Sequence, residues 1–166
     1  MMSAIEADIN IRRAELDDYQ RIEELCHLAI DTLCDDDYNE DERSAWKGQL
    51  SAKLKSIDQA HAQYMILAEC DQTIAGIGSL VDQSHIDLLF THPDFKRLGI
   101  GSLLLEQLEL RAKDHKAKRL SAFVSMTAYP LFIKNGFQKE YLNEVKIGNL
   151  CLYNFKMSKN FKLVSL

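Results

Sequence analysis

The chain has 166 residues, of which 46% are hydrophobic and 27% charged, and it carries a formal net charge of −5. These values are typical of a globular protein with a substantial core, and they predict a single domain over residues 1–166. The acidic balance argues against nucleic acid as a partner. No apolar run approaches the ~18 residues of a membrane span, so we expect no membrane partner.

The four cysteines are widely separated in the chain and none of them forms a C-x-x-C pair; they are Cys26, Cys34, Cys70 and Cys151. This scatter predicts reduced, mostly buried thiols, and the absence of a signal-peptide pattern predicts a cytoplasmic protein. A catalytic cysteine is the alternative interpretation. We predict no metal site.

Hydrophobic periodicity predicts strands and helices in a definite order through the N-terminal half. The predicted elements are a strand at 8–13, a helix begun by Asp17 and Gln20 and running to Leu33, a helix at 41–56, and strands at 64–70, 74–80 and 84–91. Asp71 and Gln72 form a tight turn between two of these strands. Gly76 and Gly78 predict a bulge or a close neighbour in the strand that contains them.

The C-terminal half continues with a helix whose inward face carries Ile100, Leu104 and Leu108. The remaining predicted elements are a strand at 120–124, a short helix at 127–135 ended by Gly136, and strands at 141–147 and 150–157 that meet at a turn of Gly148 and Asn149. This order predicts an α+β fold around a mixed sheet.

The segment HIDLLFTHPDFKRLGIGSLLLEQLE, residues 85–109, combines an apolar strand, a basic glycine-bearing turn and an amphipathic helix. Such a turn aims several backbone N–H groups and a helix N-terminus at one point, which suits a phosphate group. Gly99 and Gly101 lack a Cβ and so allow a ligand to approach the backbone. Lys96 and Arg97 add positive charge at the same place.

Two other phosphate-binding motifs are excluded by particular residues. A P-loop requires Gly-Lys-Ser/Thr at its end, and this turn lacks it. A dinucleotide-binding turn requires a third glycine where Leu104 stands, and an acidic residue near Leu120 and Ser121. A strand-to-helix turn without a ligand remains the alternative.

Two motifs at a fixed spacing carry a resemblance to a known family. Lys96, Gly99 and Gly101 match a [Q/R]-x-x-G-x-G/A pattern, with lysine at the first position as a departure. Residues 125–137 match N-x-x-A-x-x-[FL]-Y-x-x-x-G-F through Ala128 and the terminal Gly-Phe. Together with the order of elements, these motifs resemble GNAT N-acetyltransferases, in particular an uncharacterised bacterial subgroup. The resemblance implies the GNAT fold, a mostly antiparallel mixed sheet flanked by helices, and acetyl-CoA (coenzyme A) as cofactor.

The resemblance also implies a set of cofactor-binding residues. Backbone groups of Leu89, Phe90 and Thr91 would bind the pantetheine arm as an added strand. The pyrophosphate would lie among Lys96, Arg97, Leu98, Gly99, Ile100, Gly101 and Ser102. Ser125 stands where many relatives have an asparagine that touches the cofactor. Lys134 would reach the nucleotide end, or it is an ordinary solvated lysine.

His85 is the predicted general base, because its unperturbed pKa near 6.5 lets it accept a proton at neutral pH. By the two-residue period of a strand, His85 would share a face with Thr91. Asp87 would lie on that face too, where it would orient His85 or act as the base itself. The alternative is that both side chains only cover a wet face of the sheet. We interpret His92 as structural.

Phe132 stands where relatives often have a tyrosine that protonates the departing thiolate. Phenylalanine cannot donate a proton, so we expect this chain to lack the usual general acid. Tyr129, Tyr141 or a water would be the substitutes.

The resemblance implies that the acceptor is a primary amine of a small molecule or a peptide, bound near the first two helices. An acidic run there would suit a cationic amine, or it is a solvated loop; it comprises Asp35, Asp36, Asp37, Glu40, Asp41 and Glu42. Tyr38, which with Trp46 extends the resemblance, is the predicted acceptor contact.

The predicted function is acetyl-CoA-dependent N-acetyl transfer. A non-catalytic acyl-CoA-binding module is the second interpretation, and transfer of a longer acyl group is the third. We expect a monomer or a homodimer paired through the C-terminal hairpin.

Overall fold

The computed structural model describes residues 8–60 and 63–162, which form one seven-stranded sheet covered by helices on both faces. The strands are β1 (Ile9–Arg13), β2 (Tyr64–Cys70), β3 (Thr73–Val81), β4 (His85–Thr91), β5 (Arg119–Ser125), β6 (Gln138–Ile147) and β7 (Leu150–Asn160). The helices are α1 (Tyr19–Leu33), α2 (Glu40–Ala60), α3 (Ile100–Asp114) and α4 (Tyr129–Lys134). Within these residues, no helix is long and apolar enough to span a bilayer.

The sheet has the strand order β1-β2-β3-β4-β5-β7-β6, and every pair of neighbours is antiparallel except β4 and β5. The predicted α+β, mostly antiparallel architecture is therefore confirmed. Helices α1 and α2 pack on one face through a core that includes Ile22, Leu54 and Ile77. Helices α3 and α4 pack on the other face through a core that includes Leu108 and Phe132.

Helix α3 lies unusually close to β3, and two glycines permit this. A Cβ on Gly76 would lie 2.7 Å from Ile100 Cγ2, and one on Gly78 would lie 3.0 Å from Leu108 Cδ1. The predicted close neighbour of these glycines is therefore α3. The β2–β3 ladder also contains an irregularity between Ala68 and Glu69.

A β-bulge interrupts β4 at Asp87. Leu80 pairs with Ile86 and Ser79 pairs with Leu88, so Asp87 has no opposite residue on β3. Ile86 consequently packs in the α3 core, whereas Leu88 packs in the core under α1 and α2. The extra residue reverses the order in which side chains of β4 alternate between the two faces of the sheet. Thr91 therefore lies on the α3 face, and His85 lies on the face that packs against α1 and α2. The prediction that His85 and Thr91 share a face is wrong, because it assumed an unbroken two-residue period.

Strands β4 and β5 pair only at their beginnings and then diverge. His85 pairs with Ser121 and Ile86 with Ala122, and no pair follows among the described residues of the two strands. On its other side β4 stays paired with β3 as far as Thr91. The sheet therefore splits between β4 and β5, and the split opens a cleft through the middle of the molecule.

The predicted ends of several elements move in the structure. The chain enters α1 through a 3-10 turn, Leu16–Asp18, whose capping box pairs Glu15 with Asp18. The predicted Asp17–Gln20 box is wrong, because Arg12 of β1 fixes the Asp18 carboxylate by two hydrogen bonds. Helix α2 and strands β6 and β7 are longer than predicted.

Candidate active site

A cleft of about 850 Å³ occupies the split between β4 and β5. Its walls come from every layer of the fold: α1 and α2 on one face, α4 on the other, β4 and β5 in the middle, and the β6–β7 hairpin at one end. All seven residues of β4, from His85 to Thr91, line it. A ligand in this cleft would therefore touch both faces of the sheet.

The turn before α3 presents backbone N–H groups. Arg97 and Gly99 both have positive φ, +66° and +80°, and Gly99 caps the helix in the left-handed conformation. The first helical hydrogen bond runs from the Leu103 N–H to the Gly99 carbonyl at 2.9 Å. Within residues 8–60 and 63–162, no backbone carbonyl accepts a hydrogen bond within normal geometry from the N–H groups of residues 97–102. These donors and the helix N-terminus suit an anion, and the predicted phosphate turn has the required geometry.

Close packing against α4 fixes this turn in place. A Cβ on Gly101 would lie 2.6 Å from Leu131 Cδ2, so only glycine fits without displacement. The Ser102 hydroxyl accepts a hydrogen bond of 3.1 Å from the Asn135 amide. Lys96 and Arg97 are exposed and line the cleft.

Leu89, Phe90 and Thr91 line the cleft, and on one side their backbones pair with β3. Their other side faces the split. A ligand with amide groups could form hydrogen bonds with this edge in the way that an added strand does.

Ser125 and Lys134 differ in their position relative to the cleft. Ser125 lines it, and its hydroxyl accepts a hydrogen bond of 3.0 Å from the Ala128 N–H. Lys134 is exposed at the end of α4 and does not line the cleft. Their roles as cofactor contacts stay predictions.

His85 lies where the split begins. Its Nδ1 is 2.9 Å from the Ser121 hydroxyl, and its ring contacts Phe123 edge-on, with the ring centres 5.7 Å apart. Burial, reinforced by the charge of Lys156, lowers the pKa of His85 below its usual value of 6.5. The imidazole is therefore neutral at physiological pH.

Asp87 is held by other partners. Its two oxygens accept hydrogen bonds from Lys53 Nζ at 2.9 Å and Gln63 Nε2 at 2.6 Å. The polar partner of His85 is Ser121 instead, so the hypothesis that Asp87 orients His85 is wrong. The bulge at Asp87 directs its carboxylate toward α2.

Neither Tyr129 nor Tyr141, the predicted tyrosine substitutes for the general acid, lines the cleft with Phe132. Phe132 is buried, lines the cleft and packs against Phe137 with ring centres 4.9 Å apart. Tyr129 packs against Phe155, and Tyr141 is 51% exposed; neither lines the cleft. The two tyrosines are therefore not at the cleft, and a water as the substitute stays a prediction.

Tyr38 lines the cleft, but its hydroxyl is engaged by the protein. It donates to the Tyr153 carbonyl at 2.6 Å and accepts from the Met126 N–H at 3.0 Å. The Met126 N–H and the Tyr153 carbonyl lie next to the last β5–β7 residue pair, Ser125 with Asn154. The Tyr38 hydroxyl therefore connects the two strands just beyond the point where their direct pairing ends. Burial raises the pKa of Tyr38 to about 12, which makes it a poor acid at neutral pH. Its role as acceptor contact stays a prediction, with the ring as the available surface.

The acidic run lies outside the cleft lining. Asp37 accepts a hydrogen bond from the Thr127 hydroxyl at 2.8 Å, and Glu42 forms a reciprocal pair with Asn39 at the start of α2. Within the described ranges 8–60 and 63–162, the carboxylate that lines the cleft is Asp87. Asp37 and Glu42 therefore make local capping and connecting contacts, and Asp37 adjoins the lining through Thr127. The interpretation of the acidic run as a rim of the acceptor site stays a prediction.

Several lining residues had no signal in the sequence. They are Cys34, Lys53, Val145, Ile147, Leu152 and Asn154. They come from distant elements that only tertiary packing brings together. Burial raises the pKa of Cys34, which disfavours the thiolate that a catalytic cysteine needs.

Comparison with known proteins agrees with this geometry. Residues 34–159 match the family model of the acetyltransferase (GNAT) domain. The chain is 26% identical over 150 residues to the uncharacterized N-acetyltransferase YafP of Escherichia coli, with 90% of this chain and 95% of that protein covered.

Solved structures give the same result. A GCN5-related N-acetyltransferase from Rhodopseudomonas palustris superposes with a TM-score of 0.86 at 28% identity, covering 92% of this chain and 95% of that one. The PaiA N-acetyltransferase of Thermoplasma acidophilum, solved in complex with coenzyme A, superposes with a TM-score of 0.73 at 19% identity, covering 93% and 99%. Because the family model spans most of its length, the chain belongs to the GNAT acetyltransferase family.

Proposed function

We propose that this protein is an acetyl-CoA-dependent N-acetyltransferase that transfers the acetyl group directly to a primary amine. One juxtaposition carries the proposal: the free N–H groups of residues 97–102 and the unpaired edge of β4 lead to the split at which neutral His85 stands. The PaiA N-acetyltransferase, which shares this fold and was solved in complex with coenzyme A, supports coenzyme A as the ligand.

The residues present fit coenzyme A. The N–H groups of residues 97–102 would hold the diphosphate, with charge from Lys96 and Arg97, in a turn where Gly101 leaves no room for a side chain. The β4 edge at Leu89–Thr91 would bind the amides of the pantetheine arm. When bound, acetyl-CoA supplies an acetyl group activated as a thioester.

His85 then acts on the acceptor amine. A Nδ1–H that donates to the Ser121 hydroxyl leaves the lone pair on Nε2, which accepts the proton that the amine loses. An N–H group of β4 that faces the split would stabilise negative charge on the carbonyl oxygen. Phe132 offers no proton to the thiolate, which with a thiol pKa near ~8.5 leaves without assistance.

Calorimetric titration with acetyl-CoA and a thiol-release assay over a panel of primary amines test the proposal. We expect binding together with turnover of at least one amine. Arg97→Glu should weaken acetyl-CoA binding, because it reverses a charge at the diphosphate turn. Lys116→Glu is the matched control, since Lys116 has nearly the same φ, +64°, and lies outside the cleft lining. Absence of binding, or equal loss in both variants, would contradict the proposed cofactor site.

Phe132 favours a second candidate, a non-catalytic acyl-CoA-binding module, because the cleft lacks the usual acid there. Tight acetyl-CoA binding without thiol release over the whole panel would support that module and reject the transferase.

A further inference from the structure

We infer that the acceptor is a monoamine carried on an apolar body, and that the site discriminates against polycations. This inference rests on the proposed acetyl transfer and names its substrate class. It follows from the composition and charge of the cleft wall on the His85 face of the sheet.

The wall on this face is mainly apolar, with Gln49, Lys53 and Asp87 as polar members. Helices α1 and α2 and the β6–β7 hairpin contribute Leu33, Trp46, Leu50, Val145, Ile147 and Leu152. Trp46 also lies between two other aromatic rings of the lining, 5.4 Å from Tyr38 and 6.0 Å from Phe90. A body that buries apolar surface here gains affinity from the hydrophobic effect, whereas a polar body loses hydration without compensation.

The charges at this wall are unsuited to additional ammonium groups. Asp87, the carboxylate that lines the cleft in the described part of the chain, already pairs with Lys53 at 2.9 Å and with Gln63. Lys156 lies 4.5 Å from the centre of the Phe123 ring, beside His85. In the lining, a second ammonium on the acceptor would meet the ammonium of Lys53 and an already paired carboxylate, while Lys156 lies just outside the lining.

The same environment suits the one amine that reacts. An amine attacks the thioester only in its neutral form, and desolvation together with nearby positive charge favours that form. The apolar wall and the two lysines therefore help the reacting nitrogen while they penalise every further charge on the acceptor.

A matched set of amines tests the inference with purified protein, acetyl-CoA and the thiol-release assay. Hexylamine and hexamethylenediamine have the same carbon chain and differ by one ammonium group, and aminocaproate has a carboxylate at that end. We expect kcat/KM for hexylamine to exceed that for the diamine by about tenfold or more. Equal or better use of the diamine would overturn the inference, and so would a preference for aminocaproate.

Variants locate the discrimination in the wall. Leu33→Glu places a carboxylate in the lining and should raise kcat/KM for the diamine while lowering it for hexylamine. Leu28→Glu is the control on the same helix, because Leu28 is 43% exposed and outside the lining. Val145→Glu, with exposed Leu142→Glu as control, repeats the test on β6 if Leu33→Glu does not fold. An unchanged preference in a folded wall variant would overturn the inference.

The inference and the proposed function fail in different ways. A reversed order among the three amines rejects only the acceptor class and leaves acetyl transfer intact. Absence of turnover with all three rejects the acceptor class, and acetyl transfer itself fails only if the broader panel also gives no thiol release.

Discussion

The proposed cofactor side of the cleft comes from one stretch of chain, with Leu89–Thr91, Lys96 and Arg97 in the lining and the turn before α3 beside them, whereas the proposed acceptor side presents side chains from α1, α2, β6 and β7. Backbone N–H groups exist at every non-proline residue, so hydrogen bonds from this turn would survive a change such as lysine at position 96, whereas the charge of Arg97 and the close packing of Gly101 depend on the residue type. The proposed acceptor side depends on its side chains, because they and not the backbone form its surface. Cofactor choice and acceptor choice can therefore vary independently in this fold.

His85 lies where the two sides meet, and its substitution is expected to have the largest effect. His85→Ala should lower kcat/KM by about 10²–10⁴-fold, the usual contribution of a general base. In the wild type, kcat/KM should fall as the pH decreases through the pKa of His85, which burial keeps below 6.5. The variant should lose this acidic limb.

His115→Ala is the control for this prediction, because His115 follows the end of α3 and does not line the cleft. An unchanged kcat/KM in His85→Ala would assign the base to another residue, with Asp87 as the first candidate.

The cofactor side can be tested alone through its tightest contact. Gly101→Ala places a methyl group 2.6 Å from Leu131 and should cost about 1–3 kcal/mol of unfolding free energy by overpacking, with weaker acetyl-CoA binding. Gly48→Ala in α2 meets nothing within 4 Å and should stabilise the protein by about 0.5–1 kcal/mol. Thermal unfolding and calorimetry measure both. A Gly101→Ala protein with normal affinity would show that the turn adapts.

The acceptor side is tested by Tyr38→Phe. Loss of the hydroxyl leaves the Met126 N–H and the Tyr153 carbonyl without their partner and should cost about 1–3 kcal/mol in denaturant unfolding. Tyr141→Phe, at a 51% exposed position, should change stability by less than about 0.5 kcal/mol. Equal stability of the two variants would mean that β5 and β7 close the gap by direct pairing.

The smallest expected effect is on kcat and comes from Phe132, at the boundary between the cofactor side and the acceptor side. Phe132→Tyr should raise kcat by about tenfold if the departing thiolate gains a proton donor there. Phe155→Tyr, outside the lining, should leave kcat unchanged. The hypothesis of a missing acid is wrong if the pH–rate profile is unchanged and a structure with bound cofactor shows another hydroxyl at the sulfur.

The same contrast explains what could be predicted from the sequence. The strand, the turn and the helix of the cofactor side follow one another in the chain. The glycines and basic residues that indicate a phosphate site therefore lie within a few residues of each other. Helix and strand types followed from periodicity for the same reason. His85, the predicted general base, lines the cleft together with the rest of its strand, and its catalytic role stays a prediction.

Features that depend on a partner element could not be predicted. The bulge at Asp87 requires knowledge of how β4 pairs with β3, and without it Thr91 is assigned to the wrong face. The capping residue Asp18 depends on Arg12 of a different element. The apolar acceptor wall joins residues as far apart in the sequence as Leu33 and Leu152, so no local sequence pattern predicts it.

The short β4–β5 pairing has a consequence for stability. Two residue pairs are the ladder that joins the β1–β4 half of the sheet to the β5–β7 half. A ligand that binds the β4 edge while it touches α4 would add contacts between the two halves, beyond this short ladder and the core that they share under α3. Acetyl-CoA binding would then raise the free energy of unfolding as the concentration of the cofactor rises.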